Sequence, residues 1–193
     1  MARHKEFDRE VVLEKAMATF WRYGYEGTSV QTLVENMGIN RGSIYDTFGD
    51  KRSLFLAAIQ HYNEAVVKKL IVALEAPGAS KQVIIDRFYN LIDRAVADKD
   101  RKGCLLVNTA VEVCPHDADT ASQIAADFKR IENAFKKALS RAQEKGELGG
   151  DRDVTALARY LTCNLQGLRV ISKVNPDPKF LRDIAKVALS ALD

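Results

Sequence analysis

Three cysteines and three histidines are the side chains of this 193-residue sequence that could carry covalent or metal chemistry. Cys104 follows Arg101 and Lys102 and precedes a segment whose pattern predicts a helix, and both cations and a helix N-terminus favour the reactive thiolate. Cys104 could therefore be a redox or electrophile sensor, the nucleophile of a thiol enzyme, or a small buried apolar residue. Cys114 and His116 lie close together, but two ligands without a second pair nearby do not predict a metal site.

The sequence gives little other support for catalysis. No histidine stands in a recognisable relation to a serine or cysteine nucleophile, so we expect no catalytic site, no metal and no cofactor. Cys104, Cys114 and Cys163 are an odd number in a sequence without a secretory signal, which predicts thiols rather than disulfides. No apolar run approaches the roughly 18 residues needed to cross a bilayer, and we expect a cytoplasmic protein that does not bind membranes.

The segment INRGSIYDTFGDK, residues 39–51, carries polar side chains suited to DNA. Arg41 can form two hydrogen bonds to a guanine or a phosphate, and Tyr45 offers a ring and a hydroxyl to the sugar-phosphate backbone. Lys51 adds a positive charge at a helix N-terminus, where phosphate is already favoured. Asp46 can accept from cytosine N4 or be a surface acid without a base contact, and the sequence leaves both open. The candidates for DNA contact in this segment are Arg41, Gly42, Ser43, Tyr45, Asp46, Thr47 and Lys51.

The net charge of +3 does not by itself point to a nucleic acid. Residues 1–56 contain as many acidic as basic side chains, so a DNA hypothesis depends on where the charges lie and not on their sum.

Hydrophobic periodicity predicts that nearly the whole chain is helical. Three short helices precede a long unbroken helix over about residues 51–75. The second and third are joined by a tight turn at Gly38, with Ile39 and Ile44 turned inward, which is the helix-turn-helix arrangement. The second should begin at a capping box formed by Thr28 and Gln31. The other predicted N-caps of these helices are Asp8, Asn40 and Asp50.

Two helices near the end of the chain, at about residues 152–174 and 177–192, are apolar on two faces. Such helices are buried on two sides, either at the centre of a monomer or between two copies of the chain. Gly167, which costs ~1 kcal/mol inside a helix, fits a second helix crossing closely. The residues predicted to form a dimer interface are Tyr160, Cys163, Gly167, Val170, Val174, Ile184, Val187 and Ala191.

Residues 8–62, with GYEGTSVQTLVENMGINRGSIYDTFGDKRSLF at their centre, resemble the N-terminal domain of TetR-family transcriptional regulators. The resemblance implies an all-α homodimer. It implies a three-helix helix-turn-helix DNA-binding domain at residues 1–50, a linking helix at 51–75, and a C-terminal helical ligand-binding and dimerisation domain at 76–193. It also adds Thr28 and Ser29 to the predicted DNA contacts.

The segment GCLLVNTAVEVC resembles the corresponding segment of several family members, including the electrophile-responsive repressor of the N-ethylmaleimide reductase operon. Asn108 and Glu112 share a helix face with Cys104, so they either line a small-molecule pocket or satisfy backbone groups of neighbouring helices. The residues predicted to line a pocket are Phe88, Cys104, Asn108, Glu112, Phe128, Tyr160 and Asn164.

These observations lead to the hypothesis of a DNA-binding transcriptional regulator. We expect a repressor that binds a palindromic double-stranded operator as a homodimer and is released by a small-molecule effector. The alternatives are a repressor that senses electrophiles or oxidants through Cys104, and a thiol enzyme.

Overall fold

The computed structural model describes residues 7–193, so the first six residues of the predicted DNA-binding unit lie outside it. Residues 7–193 are helical and contain no strand, in agreement with the predicted all-α fold. Their α-helices are, in chain order, α1 (Arg9–Tyr23), α2 (Val30–Met37), α3 (Arg41–Phe48), α4 (Lys51–Tyr62), α5 (Lys68–Glu75), α6 (Lys81–Ala97), α7 (Leu105–Glu112), α8 (Ala118–Glu144), α9 (Val154–Val174) and α10 (Pro178–Leu189).

Most of the helices that begin near the N-terminus start at the predicted capping residue, whose side chain accepts a backbone N–H of the first turn. The confirmed N-caps are Asp8, Asn40 and Asp50. The capping box of α2 was wrong, because Ser29 is the N-cap and its hydroxyl accepts from the Thr32 backbone at 3.0 Å. Thr28 is fully buried and donates to the carbonyl of Gly24 at 2.6 Å, so its hydroxyl closes the preceding turn instead.

Helices α1 to α4 pack around a common apolar interior. The ring of Phe20 on α1 meets that of Phe55 on α4 edge-on, with centroids 5.1 Å apart. Tyr25, in the turn after α1, closes this group at 4.8 Å from Phe55. Ile44 and Phe48 of α3 are buried against the same interior, which fixes the face that α3 turns outward.

The predicted unbroken helix over residues 51–75 contains an irregularity. A single π turn, Asn63–Val67, separates α4 from α5. Asn63 is buried there and its side-chain amide donates to the carboxylate of Asp127 on α8 at 2.8 Å. Such π turns are frequent at functional sites, and Tyr62 and Val66 of this segment line a cavity.

Helices α5, α6, α8, α9 and α10 form the remaining bundle. The inner face of α9 is buried through Ala158, Leu161, Leu165 and Leu168. Helix α10 is followed by a 3-10 turn, Ser190–Leu192. No helix within residues 7–193 has the length and apolar character needed to cross a membrane.

Candidate nucleic-acid interface and ligand cavity

The turn between α2 and α3 presents one face of α3 to solvent. Gly38 adopts a left-handed conformation, with φ of 73°, and ends α2. Asn40 then caps α3 by accepting the backbone N–H of Ser43 at 2.8 Å. Since Ile44 and Phe48 anchor the opposite face, the polar side of α3 is left free to enter a groove of DNA.

The exposed face of α3 carries most of the side chains predicted to contact DNA. Arg41, Gly42 and Asp46 are exposed, and Ser43 and Tyr45 are half-buried. The guanidinium of Arg41 donates to the Tyr45 hydroxyl at 3.3 Å and lies 5.5 Å from the centroid of its ring. The structure thus brings a cation, a phenol and a hydroxyl together on one outward surface.

Two threonines predicted to contact DNA are placed differently. Thr28 is in the interior, where its hydroxyl is engaged by Gly24, so its side chain is not available to a phosphate. The hydroxyl oxygen of Thr47 is also buried and has no partner among residues 7–193. The Thr28 hydroxyl is therefore turned away from the surface, the Thr47 contact stays a prediction, and Ser29 is exposed at the start of α2.

Lys51, the first residue of α4, lies at the edge of this surface. Its ammonium is 4.3 Å from the centroid of the Tyr25 ring. Asp50 caps the same helix, and the backbone N–H of Ser53 holds the pKa of the Asp50 carboxyl below its ordinary value. The lysine therefore lies between a helix N-terminus and an aromatic face, a position from which it can reach a phosphate.

A cavity of about 420 Å³ opens between α1, the segment running from α4 into α5, α6, and α9. Its size falls within the range typical of small-molecule sites. Trp21 lies on its wall from α1, Tyr62 and Val66 from the segment around the π turn, Arg87 from α6, and Arg169 from α9.

None of the seven residues predicted to line a pocket lies on the wall of this cavity. Phe88 is fully buried and packs beside Phe135, with ring centroids 6.3 Å apart. Phe128 is half-buried on α8, and Tyr160 is 42% exposed on the outer side of α9. Asn164 donates to the backbone of Tyr160, so it serves its own helix.

The polar residues of α7 satisfy neighbouring groups, which was the alternative that the sequence left open. Asn108 donates to the backbone of Lys102 at 3.1 Å and accepts from the ammonium of Lys173, also at 3.1 Å. Glu112 accepts the backbone N–H groups of Tyr25 and Glu26, each at 2.9 Å. Glu112 therefore ties α7 to the turn between α1 and α2 rather than contacting a ligand.

Cys104 does not line the cavity, but it contacts two residues that do, Tyr62 and Arg169. It is 1% exposed, and its sulfur accepts from the Tyr62 hydroxyl at 3.5 Å and from Arg169 Nη1 at 3.2 Å. Burial, and then the neighbouring thiol, raise the pKa of Tyr62 well above its ordinary value, so its hydroxyl stays protonated and donates. Because a sensor thiol is accessible, this burial favours a packing role for Cys104 over electrophile sensing.

An ion pair also joins the N-terminal helices to the rest of the chain. The guanidinium of Arg52 on α4 binds the carboxylate of Asp117 through two hydrogen bonds of 2.9 and 3.1 Å. The backbone N–H of Thr120 and the Arg52 guanidinium hold the pKa of Asp117 below its ordinary value. Together with Glu112, this pair fixes the helix-turn-helix unit on the larger bundle.

The outer faces of α9 and α10 are apolar and exposed in the single chain. Val174 and Val187 are 76% and 72% exposed, which is unusual for valine. Gly167 is exposed, and a Cβ built there would meet nothing within 4 Å inside the chain. Of the two apolar faces that the sequence predicts for α9 and α10, one therefore packs in the bundle and the other is exposed to solvent.

The cavity residues Trp21, Arg87 and Arg169 were missed by the sequence reasoning. A signal for Arg87 was present, since Val83, Arg87 and Leu91 recur at four-residue steps and place a cation within an apolar stripe of α6. Within residues 7–193, no three His, Cys, Asp or Glu side chains are grouped to hold a metal ion.

An outward polar helix after a tight turn, set on a helical bundle with an internal cavity, defines a helix-turn-helix protein with a candidate ligand site. Residues 12–58 match the family model of bacterial regulatory proteins of the tetR family. Residues 82–188 match that of the tetracyclin repressor-like C-terminal domain. The chain belongs to the TetR family and is a DNA-binding transcriptional regulator.

Individual relatives are similar to this chain over all or nearly all of its length. The chain is 45% identical over 195 residues to the uncharacterized HTH-type transcriptional regulator YezE of Bacillus subtilis (strain 168), covering 100% of both chains. It is 30% identical over 188 residues to the HTH-type transcriptional repressor ComR of Escherichia coli (strain K12), covering 97% of this chain and 90% of ComR. The solved structure of a cysteine mutant of the TetR-family regulator CifR, complexed with a 26-bp operator duplex, matches with a TM-score of 0.89 and 28% identity over 100% of both chains.

Proposed function

We propose that this protein is a repressor that binds a palindromic operator as a homodimer and leaves it when a ligand fills the cavity. The observation that carries the proposal is the outward face of α3, where Arg41 and Tyr45 lie together on a helix anchored from behind by Ile44 and Phe48. Such a helix reads the major groove, and its partner in a dimer reads the next half-site about one helical turn away. The repressor ComR and the operator-bound CifR mutant support this assignment.

The open face of α9 and α10 supports the homodimer. A contiguous exposed apolar surface on a folded chain marks an interaction site. The predicted interface residues Tyr160, Cys163, Gly167, Val170, Val174 and Val187 are all exposed on this face, and Ile184 and Ala191 are half-buried beside them.

The walls of the cavity suggest how ligand binding reaches the DNA-binding helices. Trp21 belongs to α1, which packs on α2 and α4, while Tyr62 and Val66 belong to the segment that continues from α4. A ligand that binds more tightly to one arrangement of these helices shifts the population of protein molecules toward that arrangement. The separation of the two copies of α3 then no longer fits the operator, and the dimer dissociates from DNA. Acting on the bacterial chromosome would place the protein in the cytoplasm.

DNA binding is tested by fluorescence anisotropy with duplex taken from the region flanking the protein's own gene. Wild type should bind it, and affinity should fall steeply as salt rises. Tyr45→Ala and Lys51→Ala should each weaken binding by roughly tenfold, because each removes a contact to the sugar-phosphate backbone or a base. Lys129→Ala, a change of an exposed lysine on α8, is the control and should bind like wild type. Unchanged binding in both test variants would overturn the assignment of this surface.

The dimer face is tested with two equally exposed valines. Val174 on α9 and Val111 on α7 are both 76% exposed. Val174→Lys should shift the protein toward monomer in analytical ultracentrifugation, because it buries a charge in an apolar interface, whereas Val111→Lys should leave the dimer intact. Gly167→Leu should also disrupt the dimer, since a side chain there enters the space of the partner helix. Intact dimers in both Val174→Lys and Gly167→Leu place the interface elsewhere.

A further inference from the structure

The wall of the cavity has a strong excess of positive charge. Among its lining residues within the described chain, one acid, Asp98, faces six cations. That acid is already engaged, because its carboxylate accepts the backbone N–H groups of Asp100 and Lys102 and lies 3.7 Å from the Lys102 ammonium. The cations are Lys69, Arg87, Arg94, Arg101, Lys102 and Arg169.

Two hydrogen-bond donors on this wall are buried without an acceptor. Nε of Arg87 and Nε1 of Trp21 have no hydrogen-bond partner among residues 7–193. Buried polar groups in folded proteins are almost always paired, and a donor left without a partner beside a cavity can be completed by an acceptor bound there. Both orphaned groups donate, so the missing partner is an acceptor.

Arg169 is held in position from behind. Its Nη1 donates to the sulfur of Cys104 at 3.2 Å and to the side chain of Gln166 at 3.1 Å. The other nitrogens of the guanidinium make no hydrogen bond to residues 7–193. A guanidinium fixed on one side and free on the other is suited to receive an oxyanion, since planar forked donors match carboxylate and phosphate oxygens.

The rest of the lining is apolar. Val66, Leu70, Leu91 and Leu165 contribute aliphatic surface, and the ring of Trp21 contributes an aromatic one. Lys102 lies 5.2 Å from the centroid of that ring, so its charge is partly engaged already. Arg87 of α6 and Arg169 of α9 therefore offer unengaged donors in a cavity that also has an apolar surface.

We propose that the cavity binds a small organic anion, with a carboxylate or phosphate head group held by Arg87 and Arg169 and an apolar body packed on Trp21 and the neighbouring aliphatic side chains. This inference rests on the proposed function, because it names the class of effector that the regulator senses. The anion neutralises cations that otherwise repel one another across the cavity, so its binding draws α6 and α9 toward each other and moves the wall that α1 shares with them.

Two probes with the same rings test the charge requirement. 8-Anilinonaphthalene-1-sulfonate carries an anionic group, and N-phenyl-1-naphthylamine is the same ring system without it. Trp21 is the single tryptophan of the chain and lies on the cavity wall, so quenching of its fluorescence reports binding at this site and needs no DNA. We expect the sulfonate to bind at least roughly tenfold more tightly, the effect of about one charge-assisted hydrogen bond. Equal affinity of the two probes would overturn the proposal.

Substitution of a cavity residue distinguishes recognition of the anionic group from nonspecific apolar binding. Arg87→Gln should weaken binding of the sulfonate by roughly tenfold and leave the neutral probe unchanged. The control is Lys68→Gln, which removes the same charge from α5 at a residue that pairs with Glu64 and does not line the cavity. Equal effects of the two substitutions would refute the role of Arg87. If Arg87→Gln does not fold, the comparison of the two probes on wild type still decides the question.

The head group is identified by displacement of the bound sulfonate with octanoate, octyl phosphate and octanol. Displacement by either acid at concentrations where octanol has no effect supports the proposal and names the head group, whereas displacement by all three alike contradicts it. The failure of the proposed function would look different, since a protein that binds the anionic probe selectively but no duplex retains the cavity chemistry and loses only its role at an operator.

Discussion

The contact between Glu112 and the turn after α1 can be tested on its own. Its carboxylate accepts two backbone N–H groups, those of Tyr25 and Glu26, at 2.9 Å each. Hydrogen bonds to a charged group contribute about 1.5–3 kcal/mol each when protected from water. Since Glu112 is half-buried and Glu26 is exposed, we take about 2 kcal/mol for the pair.

Glu112→Ala should therefore lower the melting temperature by about 4–8 °C in a chain of this size. Hydrogen exchange should show faster exchange of the Tyr25 and Glu26 amides, while that of Gly24, which donates to Phe20, stays slow. In Glu112→Gln one acceptor oxygen remains, so one of the two amides should stay protected.

The matched control is Glu144→Ala, which removes an exposed glutamate from the end of α8. It should melt like wild type at the same protein concentration. If Glu112→Ala melts within about 1 °C of this control, a change worth well under 1 kcal/mol, and the two amides remain protected, the carboxylate does not hold the turn and the reasoning fails.

Three further substitutions test the neighbouring structure. Gly24→Ala should destabilise the protein by about 1–3 kcal/mol in a denaturant titration, because φ of 79° with ψ of 179° is a conformation that favours glycine. The added Cβ would also lie 2.7 Å from a carboxylate oxygen of Glu112. The control is Gly150→Ala, where the added Cβ would meet no atom within 4 Å. Asn63→Ala should destabilise by about 1.5–3 kcal/mol in the same titration, since it removes a donor from the buried carboxylate of Asp127, and an unchanged midpoint would argue against that bond. Thr28→Val should cost about 1 kcal/mol of stability while leaving operator affinity at a fixed salt concentration unchanged, because the buried hydroxyl serves the turn. Weaker operator binding by the folded variant would restore the predicted DNA contact.

The fold could be predicted from the sequence because its signals are local. The stripes of apolar residues mark each helix, and Asp8, Asn40 and Asp50 cap the helices where the sequence places them. The capping box failed by one residue because Thr28 and Ser29 are both able to cap. Only the packing of the turn decides that the first of them is buried.

The lining of the cavity could not be predicted, because it depends on how helices distant in the sequence meet. Asn108 and Glu112 share a face with Cys104 as predicted, but that face meets the backbone of other segments rather than a space. Arg169 lies in the second half of an apolar helix, and only the placement of α1 and α6 beside it reveals that it borders a cavity. Periodicity tells which face is inward and not what that face meets.

Because of the π turn, the rotation of α5 relative to α4 depends on the number of residues between them. The inward apolar positions Leu54, Ala58 and Tyr62 follow the spacing of an α-helix, and the next buried apolar side chain is Val67, five residues on. The extra residue rotates everything after it by about 100°, the angle of one helical position. Deleting one residue between 63 and 67 would thus keep every helix but turn Lys69 and Leu70 off the cavity wall. The number of residues in this segment therefore sets the rotation of the cavity residues of α5 relative to the helices that carry the DNA-binding surface. A change of length there would alter the proposed coupling while leaving the face of α3 unchanged.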